Sequence, residues 1–311
     1  MAKYLVTGGA GFIGSNIVEE LVRRGEDVRV LDDLSTGKEE NLAPFSAGID
    51  FRKGDIRKKE DMAAALEGID FVLHQAALRS VPKSVEIPYL TNDVNVNGTL
   101  NLLLRAREEG VKRVVYASSS SVYGDCREFP QKESFTPLPI SPYAVSKLSA
   151  EYYCRMFTRT MGVETVSLRY FNVFGPRQNP ESKYSAVIPA FLLRLVKDQP
   201  CLIDGDGEQS RDFTFVSNVV EANLAACEAV GAEGSVFNVA RGKDHSVIDV
   251  AESLKKILSK DIESVHGPER PGDVKRTYAD ISGLKDVLKT GKGVDFHEGL
   301  EMTAKWFLEN Y

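Results

Sequence analysis

The sequence has little of what a membrane, secreted or disulfide-bonded protein would need. Its 311 residues include only four cysteines, Cys126, Cys154, Cys201 and Cys227, which lie far apart without a CxxC pair. This spacing indicates a reducing compartment. No apolar run reaches the length of a membrane span, and the first predicted strand begins at residue 3, which leaves no room for a signal peptide. We therefore expect a cytoplasmic protein that binds no membrane.

The sequence has no net positive charge, and histidine is scarce. The net charge of -6 and the lack of a long basic run argue against a nucleic-acid partner. The four histidines, His74, His245, His266 and His297, lack metal-ligand spacing, so we predict no metal site. The hydrophobic content of 42% and the charged content of 27% are typical of a globular chain, and the length allows two lobes.

What the chain does have, close to its N-terminus, is the glycine-rich stretch TGGAGFIGS, which begins at Thr7. It follows a short apolar run and precedes apolar residues at helical spacing, so it joins a strand to a helix. Gly8, Gly11 and Gly14 form GxxGxxG, a variant of the dinucleotide fingerprint, in which glycine lets the backbone approach a pyrophosphate. This motif alone leaves an ordinary glycine-rich turn as the alternative.

An acidic pair follows the second predicted strand. Asp32 and Asp33 come about 20 residues after the glycines, where a carboxylate would bind a ribose 2′-OH. Because such a carboxylate would repel a 2′-phosphate, the pair favours NAD over NADP. A helix cap or a solvated turn is the alternative.

Strand and helix patterns alternate through the first half, which predicts a doubly wound parallel Rossmann sheet of the α/β class. Strands are predicted at 3–6, 27–32, 49–53, 70–74, 113–117 and 164–169. Helices are predicted at 14–24, 59–66, 92–110 and 142–161. We assign residues 1–172 to the NAD-binding domain, with a returning segment near 213–240 that packs beside the sheet. Residues 173–212 and 241–311, with short helices after about 246, form a smaller C-terminal substrate-binding α/β lobe.

The middle of the chain supplies candidate catalytic groups. The predicted strand 113–117 runs into SSSSVYGD, and strand ends place ligands in open α/β sheets, although a plain polar loop is the alternative. Farther on, SPYAVSK contains Tyr143 and Lys147 at i, i+4, on one face of a helix. The lysine ammonium and an oxidised nicotinamide would stabilise the Tyr143 phenolate as a general base. Ser119 could hydrogen-bond the same substrate hydroxyl.

Taken in order, the motifs resemble those of the extended short-chain dehydrogenase/reductase family, and within it the nucleotide-sugar enzymes. The matching stretches are TGGAGFIGS, VLDDLSTG, HQAAL, NVNGT, SSSSVYGD, SPYAVSK, LRYFNVFGP and RDFTFV, and they cover essentially the whole chain. The resemblance implies the Rossmann fold, tightly bound NAD and a UDP-sugar substrate. It also implies that Tyr143, Lys147 and Ser119 are catalytic.

The resemblance assigns further residues position by position. Cofactor contacts are implied at Gly8, Gly11, Phe12, Ile13, Gly14, Asp32, Asp33, Ser35, Gly37, Asp55, Ile56, Gln75, Ala76, Ala77, Asn95, Tyr143, Lys147 and Tyr170. Substrate contacts are implied at Ser119, Ser121, Tyr143, Asn172, Val187, Leu202, Arg211, Arg270, Asp273 and Thr277. Arg211 and Arg270 would clamp the diphosphate, because guanidinium groups match its geometry.

The serine loop discriminates between activities of the family. The 4,6-dehydratases carry Thr-Asp-Glu before Val-Tyr-Gly, and the UDP-glucuronate decarboxylases carry a glutamate there. Here these positions are Ser119, Ser120 and Ser121, so no carboxylate is available for elimination. Tyr143, Ser119 and NAD suffice for oxidation and re-reduction at one carbon, which predicts a UDP-hexose 4-epimerase with a transient 4-keto sugar.

Three finer expectations follow from the same resemblance. Thr277 falls on the position that limits the pocket at C2, and its small size predicts that N-acetylated sugars are accepted with plain ones. A UDP-glucuronate epimerase or decarboxylase, with Arg79 or Arg177 on the carboxylate, and a non-catalytic NAD-binding sensor remain alternatives. Helices near 92–110 and 143–161 would form a homodimer interface.

Overall fold

The computed structural model describes residues 1–180, 186–269 and 274–311. The strands, in chain order, are β1 (Lys3–Thr7), β2 (Asp27–Asp32), β3 (Ile49–Lys53), β4 (Phe71–His74), β5 (Arg113–Ser119), β6 (Glu164–Tyr170), β7 (Val173–Phe174), β8 (Leu202–Asp204), β9 (Ser210–Arg211), β10 (Thr214–Phe215), β11 (Val236–Val239), β12 (His245–Ser246), β13 (Val265–Gly267) and β14 (Arg276–Thr277). The α-helices are α1 (Phe12–Arg23), α2 (Lys59–Leu66), α3 (Val81–Glu86), α4 (Pro88–Asn92), α5 (Gly98–Glu108), α6 (Pro142–Met156), α7 (Val187–Val196), α8 (Val216–Glu228), α9 (Val247–Ile257), α10 (Ser282–Asp286) and α11 (Phe296–Asn310).

Seven parallel strands form the central sheet, in the order β11-β6-β5-β4-β1-β2-β3. Their sequences read as continuous apolar runs because both faces of the sheet are covered; all seven residues of β5, for example, are buried. Neighbouring residues of β1 pack into different hydrophobic cores on the two faces of the sheet. Val6 packs with α1 and α8, whereas Leu5 packs with α2, α5 and α6. The predicted doubly wound parallel sheet is confirmed.

The strand order reverses between β1 and β4. From β1 the chain continues to β2 and β3 on one side, and β4, β5 and β6 follow on the other side. In an open parallel sheet this reversal leaves a crevice beyond the carboxyl ends of the two central strands. The glycine turn after β1 and the segment after β4 therefore face each other across a ligand-binding position.

The chain returns to this sheet late in the sequence. After β10, helix α8 packs beside β5 and β6, and β11 pairs with β6, with Phe237 opposite Leu168. Helix α8 and β11 therefore lie against the central sheet, as a helix and an edge strand.

A third core lies under the remaining elements. Leu192 on α7, Leu254 on α9 and Phe307 on α11 are buried in it. Three small sheets join distant segments: β7 pairs with β10, β8 pairs with β13, and β9 lies between β12 and β14. These short pairings were not among the predicted elements.

Two of the predicted long helices are interrupted by π-helical turns. In the predicted helix 92–110, α4 is followed by a π turn at Asp93–Asn97 and then by α5. In the predicted helix 142–161, α6 is continued by a π turn at Phe157–Met161. The final helix α11 has 15 residues and is longer than the short helices expected there. In the described ranges, no helix is long and apolar enough to cross a bilayer.

Candidate active site

A cleft of about 470 Å³ lies at the carboxyl edge of the sheet. Its lining contains these predicted cofactor residues: Gly8, Gly11, Phe12, Ile13, Gly14, Asp32, Asp33, Ser35, Asp55, Ile56, Gln75, Ala76, Ala77, Tyr143, Lys147 and Tyr170. It also contains the predicted substrate residues Ser119, Ser121 and Asn172. The strand order thus brings together motifs that are far apart in the sequence.

The glycine turn after β1 leaves no space for side chains. A Cβ at Gly14 would lie 2.2 Å from the Gly8 carbonyl oxygen, and a Cβ at Gly8, whose φ is +69°, would lie 2.7 Å from the Ala76 amide nitrogen. Helix α1 begins at Phe12, and the first N–H groups of a helix have no partner within it. Bare backbone and free N–H groups together form a cradle that fits the diphosphate of a dinucleotide.

Asp32 connects this turn to the end of β2. Its carboxylate accepts hydrogen bonds from the amides of Ala10 at 3.0 Å and Leu34 at 2.8 Å. Burial raises the pKa of Asp32, and the two amide donors oppose that rise. Gly37 does not line the cleft but packs against this carboxylate, since a Cβ there would lie 2.9 Å from both oxygens.

Asp55 lies farther along this wall of the cleft and is paired. Its carboxylate accepts hydrogen bonds from Arg57, whose guanidinium holds the pKa of Asp55 below its usual range. The neighbouring Ile56 supplies an almost fully buried apolar contact. Asp55 and Ile56 thus offer a fixed polar group and an apolar side chain at positions where the resemblance implies cofactor contacts.

The wall formed by the segment after β4 carries a buried hydrogen-bond network. The Tyr170 hydroxyl donates to Gln75 Oε1 at 3.2 Å and accepts from Asn223 Nδ2 at 2.7 Å. Burial raises the pKa of Tyr170, so this phenol stays neutral. Asn95, expected beside the cofactor, lies behind the wall and is 1% exposed. Its amide bonds both backbone groups of Leu78 instead, at 2.8 and 3.0 Å.

Tyr143 lies where β5 and α6 meet. Burial raises the pKa of the Tyr143 phenol, while the Ser119 hydroxyl and the nearby Arg79 guanidinium lower it. Ser119 Oγ also accepts a hydrogen bond from the amide of Ser121 at 3.2 Å, which fixes the turn after β5. A tyrosine and a serine that share one point in a cleft can exchange a proton with a ligand hydroxyl placed there.

Lys147 faces the same cleft one turn farther along α6. Its ammonium donates to the Ala117 carbonyl at 2.8 Å and lies 5.0 Å from the centroid of the Tyr116 ring. Complete burial lowers the pKa of Lys147 to about 7. The expected juxtaposition on one helix face is present, but the lysine is directed at the backbone of β5.

The predicted substrate residues continue into an adjoining cavity of about 250 Å³, which is lined by Asn172, Val187, Leu202 and Arg211. Asn172 connects the two cavities and has a left-handed φ of +30°. Its side-chain amide approaches the Asp212 carbonyl and Thr277 Oγ1, both at 3.4 Å. Thr277 does not line either cavity, and its contact is with Asn172. Arg270 and Asp273 lie outside the described residues.

The structure also brings in residues that the site prediction omitted. Below the serine loop, Ser118 donates to Glu151 at 2.8 Å, and Arg169 binds the same carboxylate at 2.6 Å. Glu151 and Arg169 are each 3% exposed. Asp212 accepts hydrogen bonds from the amides of Arg241 and Gly242, both at 2.8 Å, and burial raises the pKa of Asp212 to about 7. Ser118 belongs to the serine run and Asp212 to the RDFTFV motif, so the sequence pointed to these positions. It did not predict which residues they contact.

The two arginines considered for a sugar carboxylate occupy different surroundings. Arg79 lines the cleft. Arg177 binds Glu19 on α1 and lies over the Phe45 ring, outside the cleft lining. Only Arg79 is therefore placed to meet a ligand in the described cleft.

Comparison with known proteins gives a consistent result. The model of the NAD dependent epimerase/dehydratase family matches residues 4–240. A putative UDP-glucose 4-epimerase of Methanocaldococcus jannaschii is 37% identical over 308 residues, which cover 98% of each chain.

Two solved structures are similar over nearly their full length. The UDP-N-acetylglucosamine 4-epimerase of Methanobrevibacter ruminantium, in complex with UDP-N-acetylmuramic acid, is 40% identical, with a TM-score of 0.93 over 100% of this chain and 99% of that one. The UDP-glucose 4-epimerase of Thermus thermophilus, in complex with NAD, is 39% identical, with a TM-score of 0.89 over 99% of this chain and 100% of that one.

Proposed function

The chain belongs to the NAD dependent epimerase/dehydratase family, and from this premise we propose that it is a UDP-hexose 4-epimerase. Its substrates are UDP-glucose and UDP-galactose, together with UDP-N-acetylglucosamine and UDP-N-acetylgalactosamine. The observation that carries this proposal is that Tyr143 lines the same cleft as the hydroxyls of the serine loop, Ser119, Ser120 and Ser121. The acidic residues that line the described cleft are Asp32, Asp33 and Asp55. They lie at or just after the ends of β2 and β3, away from Tyr143, and we assign that end of the cleft to the adenosine of NAD. Chemistry at the sugar is thereby limited to proton and hydride exchange at one carbon.

The cofactor is NAD, and the residues present fit it. The Gly8–Gly14 turn would hold the diphosphate, Asp32 the adenosine ribose, and Lys147 the nicotinamide ribose. When bound, NAD⁺ supplies a hydride acceptor next to the sugar and afterwards returns the hydride. The buried Asp32 carboxylate favours NAD because it would repel a 2′-phosphate.

Tyr143 and Ser119 handle the proton. The Tyr143 phenolate takes the proton from the C4 hydroxyl as the C4 hydrogen leaves, and Ser119 holds the same oxygen by a hydrogen bond. The sugar becomes a flat 4-keto compound without stereochemistry at C4. After the sugar has turned and hydride has reached its other face, Tyr143 returns the proton to O4. A lobe that closes over the cleft would keep the ketone from escaping.

The nucleotide remains in place while the sugar turns. The adjoining cavity, with Asn172, Val187, Leu202 and Arg211, supports binding of the UDP group. We predict that Arg270 and Asp273 also bind the UDP group. Thr277 lines neither cavity, but its hydroxyl approaches Asn172, which lines both. We place the limit of the pocket at C2 at this position, where a small side chain would leave room for an N-acetyl group.

One experiment tests this function. The purified protein is incubated without added NAD with UDP-glucose, UDP-N-acetylglucosamine or UDP-glucuronate, and the products are separated. We expect the 4-epimers of the first two sugars. A Tyr143→Phe variant that keeps NAD but forms no product would support the assigned base. Turnover of UDP-glucuronate alone would contradict the proposed substrate class, and no turnover with bound NAD would favour a non-catalytic sensor.

We also propose that the protein is a cytoplasmic homodimer. Large apolar side chains are exposed on neighbouring helices: Leu104 on α5 and Val145, Tyr152 and Met156 on α6, between 37% and 53% exposed. Burying such a face against a second copy would remove this apolar surface from water. The four free cysteines agree with a reducing compartment. A Tyr152→Glu variant should sediment as a monomer, whereas an unchanged mass would contradict this interface.

The division into an NAD-binding domain and a substrate lobe belongs to the same proposal. Residues 1–172, with the returning segment near 213–240, would bind the cofactor, and residues 173–212 and 241–311 would bind the nucleotide sugar. The separate buried core of α7, α9 and α11 supports this division.

A further inference from the structure

A buried ion pair lies below the serine loop, residues 118–125. Glu151 lies on α6, two turns after Tyr143, and Arg169 is the neighbour of Ser118 in the register of β5 and β6. Arg169 Nη2 donates to Glu151 Oε1 at 2.6 Å, and Arg169 Nε donates to Glu151 Oε2 at 3.1 Å. Both side chains are almost fully buried, and neither lines the described cleft. The pair is therefore placed to act on the loop rather than on a ligand.

The ion pair holds the first residue of the serine loop. Ser118 Oγ donates a hydrogen bond to Glu151 Oε2 at 2.8 Å, and this oxygen also accepts the hydrogen bond from Arg169 Nε. Ser118 is buried and directly precedes Ser119, the last residue of β5. Because hydrogen bonds to a charged group are short and strong, this contact fixes the end of β5 to both α6 and β6.

The same guanidinium holds the far end of the turn that follows β5. The central carbon of the Arg169 guanidinium lies 4.7 Å from the centroid of the Tyr123 ring, within cation–π distance. The Tyr123 hydroxyl donates to Asn238 Oδ1 on β11 at 2.6 Å, and both side chains are buried. Residues 119–121, which line the cleft, thus lie between two anchors, Ser118 and Tyr123.

Stability alone does not account for a buried ion pair at this position. Removing two charges from water costs free energy, and apolar side chains of similar volume often give equal or greater stability. What this pair supplies is direction, because it fixes one hydroxyl and one aromatic ring on either side of the cleft-lining serines.

We propose that Glu151 and Arg169 are positioning residues, which hold the Ser119 hydroxyl at its place in the cleft. The inference rests on the proposed function, which assigns Ser119 to the C4 hydroxyl of the sugar, and deepens it by naming the groups that orient this serine. The pair acts through the two anchors and needs no contact with sugar or cofactor. Because Ser119 acts on the reacting oxygen while the nucleotide is bound elsewhere, loss of the pair should lower kcat and leave KM and NAD affinity nearly unchanged.

The test separates positioning from stability. The double variant Glu151→Leu/Arg169→Met removes both charges together, so no charge is stranded, and it should unfold at close to the wild-type urea concentration. Its kcat in the epimerase assay should nevertheless fall tenfold or more, because a displacement of about 1 Å in a reacting site is that costly. Ser118→Ala, which leaves the ion pair intact, should show part of the same loss in kcat. Thr165→Val is the matched control, since it removes a buried hydroxyl from the other end of β6, and it should keep the wild-type kcat.

Amide hydrogen exchange of the NAD-loaded protein gives a second readout, which does not depend on turnover. Peptides that contain residues 118–124 should exchange faster in the double variant than in the wild type, while peptides of α11 exchange at an unchanged rate. If the double variant does not fold, Ser118→Ala and Thr165→Val decide the question by the same two measurements.

The proposal is overturned if kcat returns together with stability, or if the serine loop exchanges as in the wild type. A rise in KM or a loss of NAD affinity in place of a lower kcat also overturns it, because a residue that binds a ligand would behave in this way. If the wild-type protein turns over no sugar nucleotide, the proposed function fails, while the exchange rates still decide whether the ion pair positions the loop.

Discussion

Gly14→Ala perturbs the cradle at its most crowded point. A Cβ there would lie 2.2 Å from the Gly8 carbonyl oxygen and 2.8 Å from the Gly9 Cα, whereas ordinary contacts begin at 3.4 Å. Both neighbours are backbone, so the start of α1 or the turn after β1 must move by about 1 Å. Overpacking of this kind costs about 1–3 kcal/mol, against a gain of about 1 kcal/mol from helix propensity. We therefore expect a net loss of stability of up to about 2 kcal/mol.

The larger effect should fall on the cofactor. A shifted helix start misplaces the N–H groups that meet the diphosphate, and each lost hydrogen bond to a charged group costs about 1.5–3 kcal/mol, so NAD affinity should fall tenfold or more. Urea unfolding of nucleotide-free protein and an NAD titration measure the two quantities. Gly267→Ala is the control, since its Cβ would meet nothing closer than 3.9 Å. Gly14→Ala protein that equals the wild type in stability and NAD affinity would refute this reasoning.

Three further predictions concern the sugar pocket, acid stability and the buried ion pair. In the epimerase assay, Thr277→Tyr should remove activity on N-acetylated sugars and spare activity on plain sugars. Equal loss on both would contradict the role of Thr277 as the limit of the pocket at C2. The pKa of His74 falls from 6.5 to about 3 on folding, so the unfolded chain binds the extra proton and stability drops as the pH falls below 6.5. As the pH falls to roughly 4.5, the free energy of unfolding of His74→Gln should therefore decrease by roughly 2–3 kcal/mol less than that of the wild type, as measured by unfolding curves. An equal decrease in both proteins would contradict this prediction. Arg169→Met strands the Glu151 charge and should cost about 3–5 kcal/mol in urea unfolding, most of it regained when Glu151→Leu is added; no recovery would show that the cost is not electrostatic.

The sequence was most informative where periodicity runs long. The strand predicted at 27–32 and the helix predicted at 59–66 have these bounds in the structure, because buried parallel strands and amphipathic helices leave repeating apolar patterns. The two-residue strands β9, β12 and β14 leave no such pattern. Their pairing depends on chain segments that are distant in sequence, and it places Thr277 beside Arg211.

Within the site, motif order predicted the groups that tertiary structure brings to one cleft, but not which of them contact each other. Lys147 shares a helix face with Tyr143, as its spacing predicts, yet its ammonium donates to the Ala117 carbonyl of β5. Asn95 lies behind the cleft wall because it completes the hydrogen bonds of Leu78. Contacts of this kind depend on side-chain direction, which spacing along the chain does not encode.

In the proposed reaction, one hydrogen leaves C4 of the sugar and returns to it without entering solvent. The most direct measurement is epimerisation of a UDP-sugar deuterated at C4, with the product analysed by mass spectrometry and NMR. We expect the 4-epimer to keep its deuterium at C4. Loss of that deuterium to water during epimerisation would contradict it.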